Sequence, residues 1–174
     1  VNSTGFFSTS AMETNGATII YMAIRRGPMA TPTAASSVFD VSTYTSNSNS
    51  NIFATGFNVD MNIVTRTSGT NKYNLARLIG SEYLWTDGNN AEADLGDTPL
   101  WDGASNSIDL STSFYGTTND IVSFSWGRAP GYFDVVAYTG TGSARTVAHN
   151  LGVVPEMMWV KRRSGVNNWT IYAG

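Results

Sequence analysis

Reactive chemistry in this chain has to be sought among few side chains, because only 13% of its 174 residues are charged and none is cysteine. His149 is the single histidine. Its acid–base range suits a catalytic base or a metal ligand. A zinc site, however, draws on several His or Cys ligands, and the chain has no second one. Composition permits a Ser-His-Asp triad, yet no Gly-x-Ser-x-Gly elbow is present and nothing places a serine beside His149. Acidic residues gather at Asp87, Glu92, Asp94, Asp97, Asp102 and Asp109. A calcium loop or a pair of glycosidase carboxylates would use such a cluster. Its spacing lacks the alternate-position ligands and mid-loop glycine of an EF-hand, so a solvated acidic loop is the expectation. Trp85, Trp101 and Tyr115 flank this loop; their flat rings suit either stacking on sugar C–H faces or a place in the core. Lys161-Arg162-Arg163 is a basic run, but strand alternation sends Arg162 away from its neighbours. A strand end with solvated charges is expected there. Gly140-Thr-Gly142 lacks the following helix that a phosphate cradle requires. No catalytic, cofactor-binding or metal-binding residue is assigned from these patterns.

The elements that would carry these side chains read as strands. With 41% hydrophobic residues the chain can bury a core. Its polar residues are mostly Ser, Thr, Asn and Gly, which favour turns and strand faces over helix interiors. Lys72 and Lys161 are the only lysines, so exposed helices would lack Glu–Lys ladders. The net charge of −3 argues against a nucleic-acid partner, which needs a basic face. No apolar run approaches the roughly 18 residues of a membrane helix. Strands are expected at Ile19–Ile24, Phe39–Tyr44, Asp60–Arg66, Ile121–Trp126, Phe133–Tyr138 and Glu156–Arg163, separated by Gly, Pro, Asn and Ser clusters. Asn89–Leu95 is the one stretch expected to hold a helical turn. Trp169–Gly174 reads as a strand cut short, and both ends are expected to be cuts in a longer chain.

Self-similarity organises these strands. At an offset of 96, Gly56 meets Gly152, Asp60 meets Glu156, Met61 meets Met157, Val64 meets Val160 and Arg66 meets Arg162. Pro155 has Val59 opposite it, and Trp159 has Ile63. Phe39-Asp40-Val41 with Tyr44 matches Phe133-Asp134-Val135 with Tyr138 at an offset of 94. Ile19–Pro28 matches Ile121–Pro130 at an offset of 102, including Arg26 with Arg128. Three blocks in the same order are the signature of a tandem repeat whose loops differ in length. The expected division is a first unit at 1–110, with its acidic, Gly/Asn-rich loop region at 78–110, and a second at 111–174. Because His149 falls opposite Phe53, it is expected to act in a turn or in packing. The Met61/Met157 face is expected to point inward.

The second copy runs Arg128-Ala-Pro-Gly-Tyr-Phe-Asp-Val-Val-Ala-Tyr-Thr-Gly140, then Thr146-Val-Ala-His-Asn-Leu-Gly152, Pro155-Glu-Met-Met-Trp-Val-Lys-Arg-Arg163 and Asn168-Trp-Thr-Ile-Tyr172. It resembles a module repeated in structural and tail-fibre-like proteins of bacteriophages, marine ones especially. The first copy follows the pattern less closely, lacking the proline and the His-Asn-Leu-Gly element. The short strands and the turn signals between them suggest an all-β chain of antiparallel, sandwich-like units, and the resemblance carries over no catalytic residue. It further implies a place on the virion surface, in a tail fibre or other appendage concerned with assembly and host attachment. Implied partners are further copies of the chain in a homo-oligomer, other virion proteins and host-surface glycan. A capsid decoration protein, a lectin-like module and a bacterial extracellular filament subunit are the alternatives.

Overall fold

The structure, a computed structural model, describes residues 30–45, 52–67, 72–96, 101–102, 107–109 and 120–174. The expected strand Ile19–Ile24, Asp97 and Tyr115 lie outside these residues. Within them the chain is all-β and antiparallel. Eleven strands form: β1 (Phe39–Thr45), β2 (Ile52–Ala54), β3 (Met61–Arg66), β4 (Lys72–Ala76), β5 (Glu82–Trp85), β6 (Ala93–Asp94), β7 (Trp101–Asp102), β8 (Ser107–Asp109), β9 (Asp120–Trp126), β10 (Met157–Val160) and β11 (Thr170–Ala173). Single 3-10 turns at Ala35–Ser37 and Arg77–Ile79 are the helical elements among the described residues. No helix there is long and apolar enough to cross a membrane.

Six strands form one sheet in the order β1-β9-β3-β4-β5-β6. β9 lies centrally, paired with β1 through Ser42↔Ser123 and with β3 through Val64↔Ser123. Its sequence Asp-Ile-Val-Ser-Phe-Ser-Trp alternates, and Ile121, Ser123 and Ser125 are buried. β9 lies beyond the expected division at 110/111, yet both of its edges are filled by strands from before it. The sheet therefore runs across that division.

The face of β3 that is fully buried carries Asn62 and Val64, while Met61 and Ile63 are only half-buried. The inward face expected from Met61 is thus corrected. The buried amide of Asn62 is satisfied on its donor side: Nδ2 donates to Ser123 Oγ at 2.7 Å and to Ser125 Oγ at 2.8 Å, while Oδ1 has no partner among the described residues. On the same face Val64, Tyr73, Leu75 and Ile121 form the core with Phe53 of β2, and Trp101 of β7 packs against them. Tyr44 meets Phe53 edge-on at 5.8 Å. The three-stranded sheet β2-β8-β7 thereby contributes side chains to the core of the larger one.

Two further expectations change. Phe133–Tyr138 forms no strand beyond the bridge Ala129↔Phe133. Its sequence suits a strand, but among the described residues no neighbouring strand supplies a ladder, whereas the similar segment β1 has β9. At Asn89–Leu95 there is no helical turn; Ala93–Asp94 pairs with β5 instead. That pairing, with the backbone bond from Leu95 N–H to Ser81 O at 3.0 Å, uses groups that a helix would have turned inward.

Candidate functional site

Two arrangements bring the motif residues together: a carboxylate hub at Asp134 and the β10–β11 hairpin. Asp134 is the acid of Phe-Asp-Val. One of its oxygens accepts from Arg128 Nε at 2.5 Å, and the other accepts the Asn150 N–H at 2.7 Å. Arg128 belongs to the Arg-x-Pro block and Asn150 to His-Asn-Leu-Gly, so one carboxylate joins three blocks. The Asp134 side chain is almost entirely shielded from solvent, which strengthens charge-assisted bonds of this kind. Gly131 N–H donates to Leu151 O at 2.7 Å, holding the same segments together. Phe133 stacks on Trp126 at 5.9 Å, and Phe39, from the similar Phe-Asp-Val block, packs on Trp126 at 5.2 Å.

The entry to this hub is fixed by a second acid, Asp60, which is buried. Its Oδ2 accepts the Arg128 N–H at 2.8 Å, and its Oδ1 lies 3.8 Å from Arg77 Nε. The chain leaves β9 through Gly127, whose N–H donates to Val38 O. A Cβ at Gly127 would stand 3.0 Å from the Phe57 ring and 3.2 Å from Asn58 O, so the close approach requires glycine.

β10 and β11 form a two-stranded antiparallel sheet of their own, with the register Trp159↔Ile171. All eight of its residues are exposed, including Met157, Met158, Trp159, Val160, Ile171 and Tyr172. The expected inward placement of Met157 is therefore corrected as well. What holds the hairpin is its connecting segment, residues 161–169. Arg163 Nη2 meets Glu82 Oε2 at 2.9 Å and its Nε meets Glu92 Oε2 at 2.6 Å. Glu92 N–H donates to Arg163 O, and Asn167 N–H to Asn89 O, both at 2.9 Å. Trp169 Nε1 donates to Trp85 O at 2.7 Å. Lys161 Nζ donates to Asn89 O at 3.0 Å, and desolvation lowers its pKa.

Lys161 and Arg163 are thus docking groups, and Glu92 receives one of them; neither the basic run nor the acidic loop is simply solvated. This pairing joins residues some 70 positions apart, a relation that periodicity cannot show. Asp94 serves the turn. Its Oδ1 accepts from Ser81 Oγ at 2.7 Å and from Gly96 N–H at 2.9 Å, and these bonds lower its pKa. Among the described residues no three of Asp, Glu, His and Cys are grouped to hold a metal.

Trp85 and Trp101 pack against the same core from β5 and β7. Trp85 lies 4.7 Å from Tyr83. Trp101 donates through Nε1 to Gly80 O at 2.9 Å and carries Arg77 over its ring at 5.2 Å. His149 is exposed, and its Nδ1 accepts the Leu151 N–H at 3.3 Å. Tyr138 is exposed beneath the Arg145 guanidinium. Gly56 and Gly152 share a φ of 75°, a conformation that glycine adopts without strain.

The family model for a domain of unknown function, DUF7483, matches residues 131–174. That match begins after β9 and spans the hub from Gly131 onward and the hairpin. No curated protein and no solved structure matches the chain at a significant level.

Proposed function

We propose that this chain is a non-enzymatic structural segment of a bacteriophage virion protein, built from tandem sandwich-like β units, in a tail fibre or similar surface appendage. The observation that carries this reading is the exposed hairpin β10–β11. Four strand residues, Met157, Trp159, Ile171 and Tyr172, show about half or more of their surface, and among the described residues the hairpin is tied down through its connecting segment. Apolar patches on this scale mark surfaces that meet other protein. Such a surface suits a chain whose task is to be joined to its neighbours. Shared glycine conformation at Gly56 and Gly152, and shared packing of Phe39 and Phe133 on Trp126, support the tandem-unit reading. In this reading the partners are further copies of the chain, other virion proteins and host-surface glycan.

Immunogold electron microscopy with an antibody raised against the chain tests the proposal. Gold on appendages of purified particles is the expected result. Absence of label from particles overturns it. Polysaccharide cleavage that disappears in Asp94→Asn or Asp102→Asn would replace it with an enzymatic function.

A further inference from the structure

We propose that the loop Tyr138–Val147 is a binding site for an acidic saccharide, with Tyr138 against the sugar ring and Arg145 on its carboxylate. The inference deepens the host-surface glycan named above, and it rests on that reading for the source of the ligand. The loop encloses a cleft of about 330 Å³ lined by Tyr138, Gly140, Thr141, Ser143, Arg145 and Val147. That is the lower end of the roughly 300–1,000 Å³ that small-ligand sites occupy. Trp85 and Trp101 pack against the core, whereas Tyr138 is 55% exposed and offers a flat apolar face beside the cleft.

Charge, geometry and hydroxyls point to the same ligand. Arg145 is the only Arg, Lys, Asp or Glu in residues 135–155, so the loop is locally positive in a chain of net charge −3. Its Nη2 donates to Thr139 O at 2.6 Å, and its guanidinium lies 5.5 Å from the centre of the Tyr138 ring. These two contacts set the plane of the guanidinium before any ligand arrives. A guanidinium carries five N–H donors, so holding Thr139 O leaves a pair for a carboxylate, which it grips through two parallel bonds. Thr141 and Ser143 bring hydroxyls that both donate and accept, as sugar hydroxyls require. Gly140 and Gly142 add no side chain, so the backbone itself walls the cleft. One cation beside one aromatic face suits a carboxylate carried on a ring with an apolar C–H face. A compact dianion such as sulfate would make no use of Tyr138.

Titration of the isotope-labelled chain with tetragalacturonate, followed through its amide resonances, tests the proposal, with neutral maltotetraose and sodium sulfate as comparisons. Saturable shifts confined to amides of residues 138–147 are expected, with tetragalacturonate bound about fivefold more tightly than maltotetraose. That factor is the gain from one exposed ion pair. Arg145→Gln is expected to remove the preference for the acidic sugar, and Tyr138→Ala to weaken both sugars. Both positions are exposed, so the melting temperature should not move in either variant. Equal affinity for the two tetrasaccharides, or shifts lying elsewhere, overturn the proposal. Sulfate reproducing the same shifts at the same concentration overturns it too, by making the loop a plain anion site. Particles that carry immunogold label while the chain binds neither sugar would overturn the saccharide site alone and leave the virion reading standing.

Discussion

Two hairpins of related sequence, β3–β4 and β10–β11, come to different ends in this chain. The first pairs Met61 with Ala76 and Val64 with Tyr73, and it buries Asn62, Val64, Tyr73 and Leu75. The second pairs Met157 with Ala173, one residue beyond the counterpart of Ala76, and buries none of its strand residues. A one-residue slip turns every side chain of a strand to its other face, so the two hairpins cannot present the same surface. The deeper difference is the neighbour. β3 has β9 along its outer edge, whereas among the described residues β10 pairs with β11 alone. An isolated two-stranded hairpin is marginal in water, which is why the anchoring by Arg163, Asn167 and Trp169 matters to the second and has no equivalent need in the first.

The largest contrast between the two regions should come from truncating a core side chain. Leu75→Ala, at a fully buried position, is expected to cost about 2–5 kcal/mol in denaturant unfolding. Ile171→Ala, at a position 58% exposed, is expected to stay within about 0.5 kcal/mol. Comparable losses at both sites would mean that the hairpin is covered by the chain itself and would erase the contrast.

Next in size is the hub. Asp134→Ala leaves Arg128 and the Asn150 N–H without their acceptor. Breaking a fully buried pair costs about 3–5 kcal/mol; because Arg128 keeps part of its surface in solvent, about 2 kcal/mol is expected here. Exchange of the Asn150 amide should rise together with this loss. Arg163→Ala removes bridges that are partly exposed on both sides. It is expected to cost under about 1 kcal/mol globally, and less at high salt. Its signature is local: amide exchange should speed up across 157–173 and stay unchanged across 61–76.

The smallest effect is confined to alkaline pH. Burial, with the nearby Tyr83 adding to it, raises the Tyr73 pKa above its ordinary value of 10.0. The folded state therefore disfavours the phenolate. The corresponding stability is intact below pH 10 and is lost as pH rises through the raised value. Tyr73→Phe should flatten that alkaline fall, measured as the change in melting temperature with pH, while leaving the slope near neutrality as it was.

Much of the all-β character was legible in residue types. Ile121–Trp126 alternates cleanly and is a strand; Phe39–Tyr44 is rich in β-formers and is one also. Phe133–Tyr138 carries nearly the same pattern and is not a strand, because a strand requires a partner and local sequence does not name one. Burial of Asn62 was illegible for a related reason: its Nδ2 donates to Ser123 and Ser125, some 60 residues away, and hydropathy alone assigns the inward face to Met61 and Ile63. The candidate site was partly legible. The blocks Arg-x-Pro, Phe-Asp-Val and His-Asn-Leu-Gly stand out as a pattern, and Asp134 shows what unites them. The docking of Arg163 on Glu82 and Glu92 had no signal beyond the presence of opposite charges.

β9 is held between β1 and β3, and cross-strand nuclear Overhauser contacts report that directly. The expected spectrum connects residues 121–126 with 39–44 on one side and with 61–66 on the other, following the pairs Val41↔Phe124 and Ile63↔Phe124. Backbone cross-strand contacts from 121–126 to 134–139 or to 157–160 would give β9 other neighbours and contradict the shared sheet.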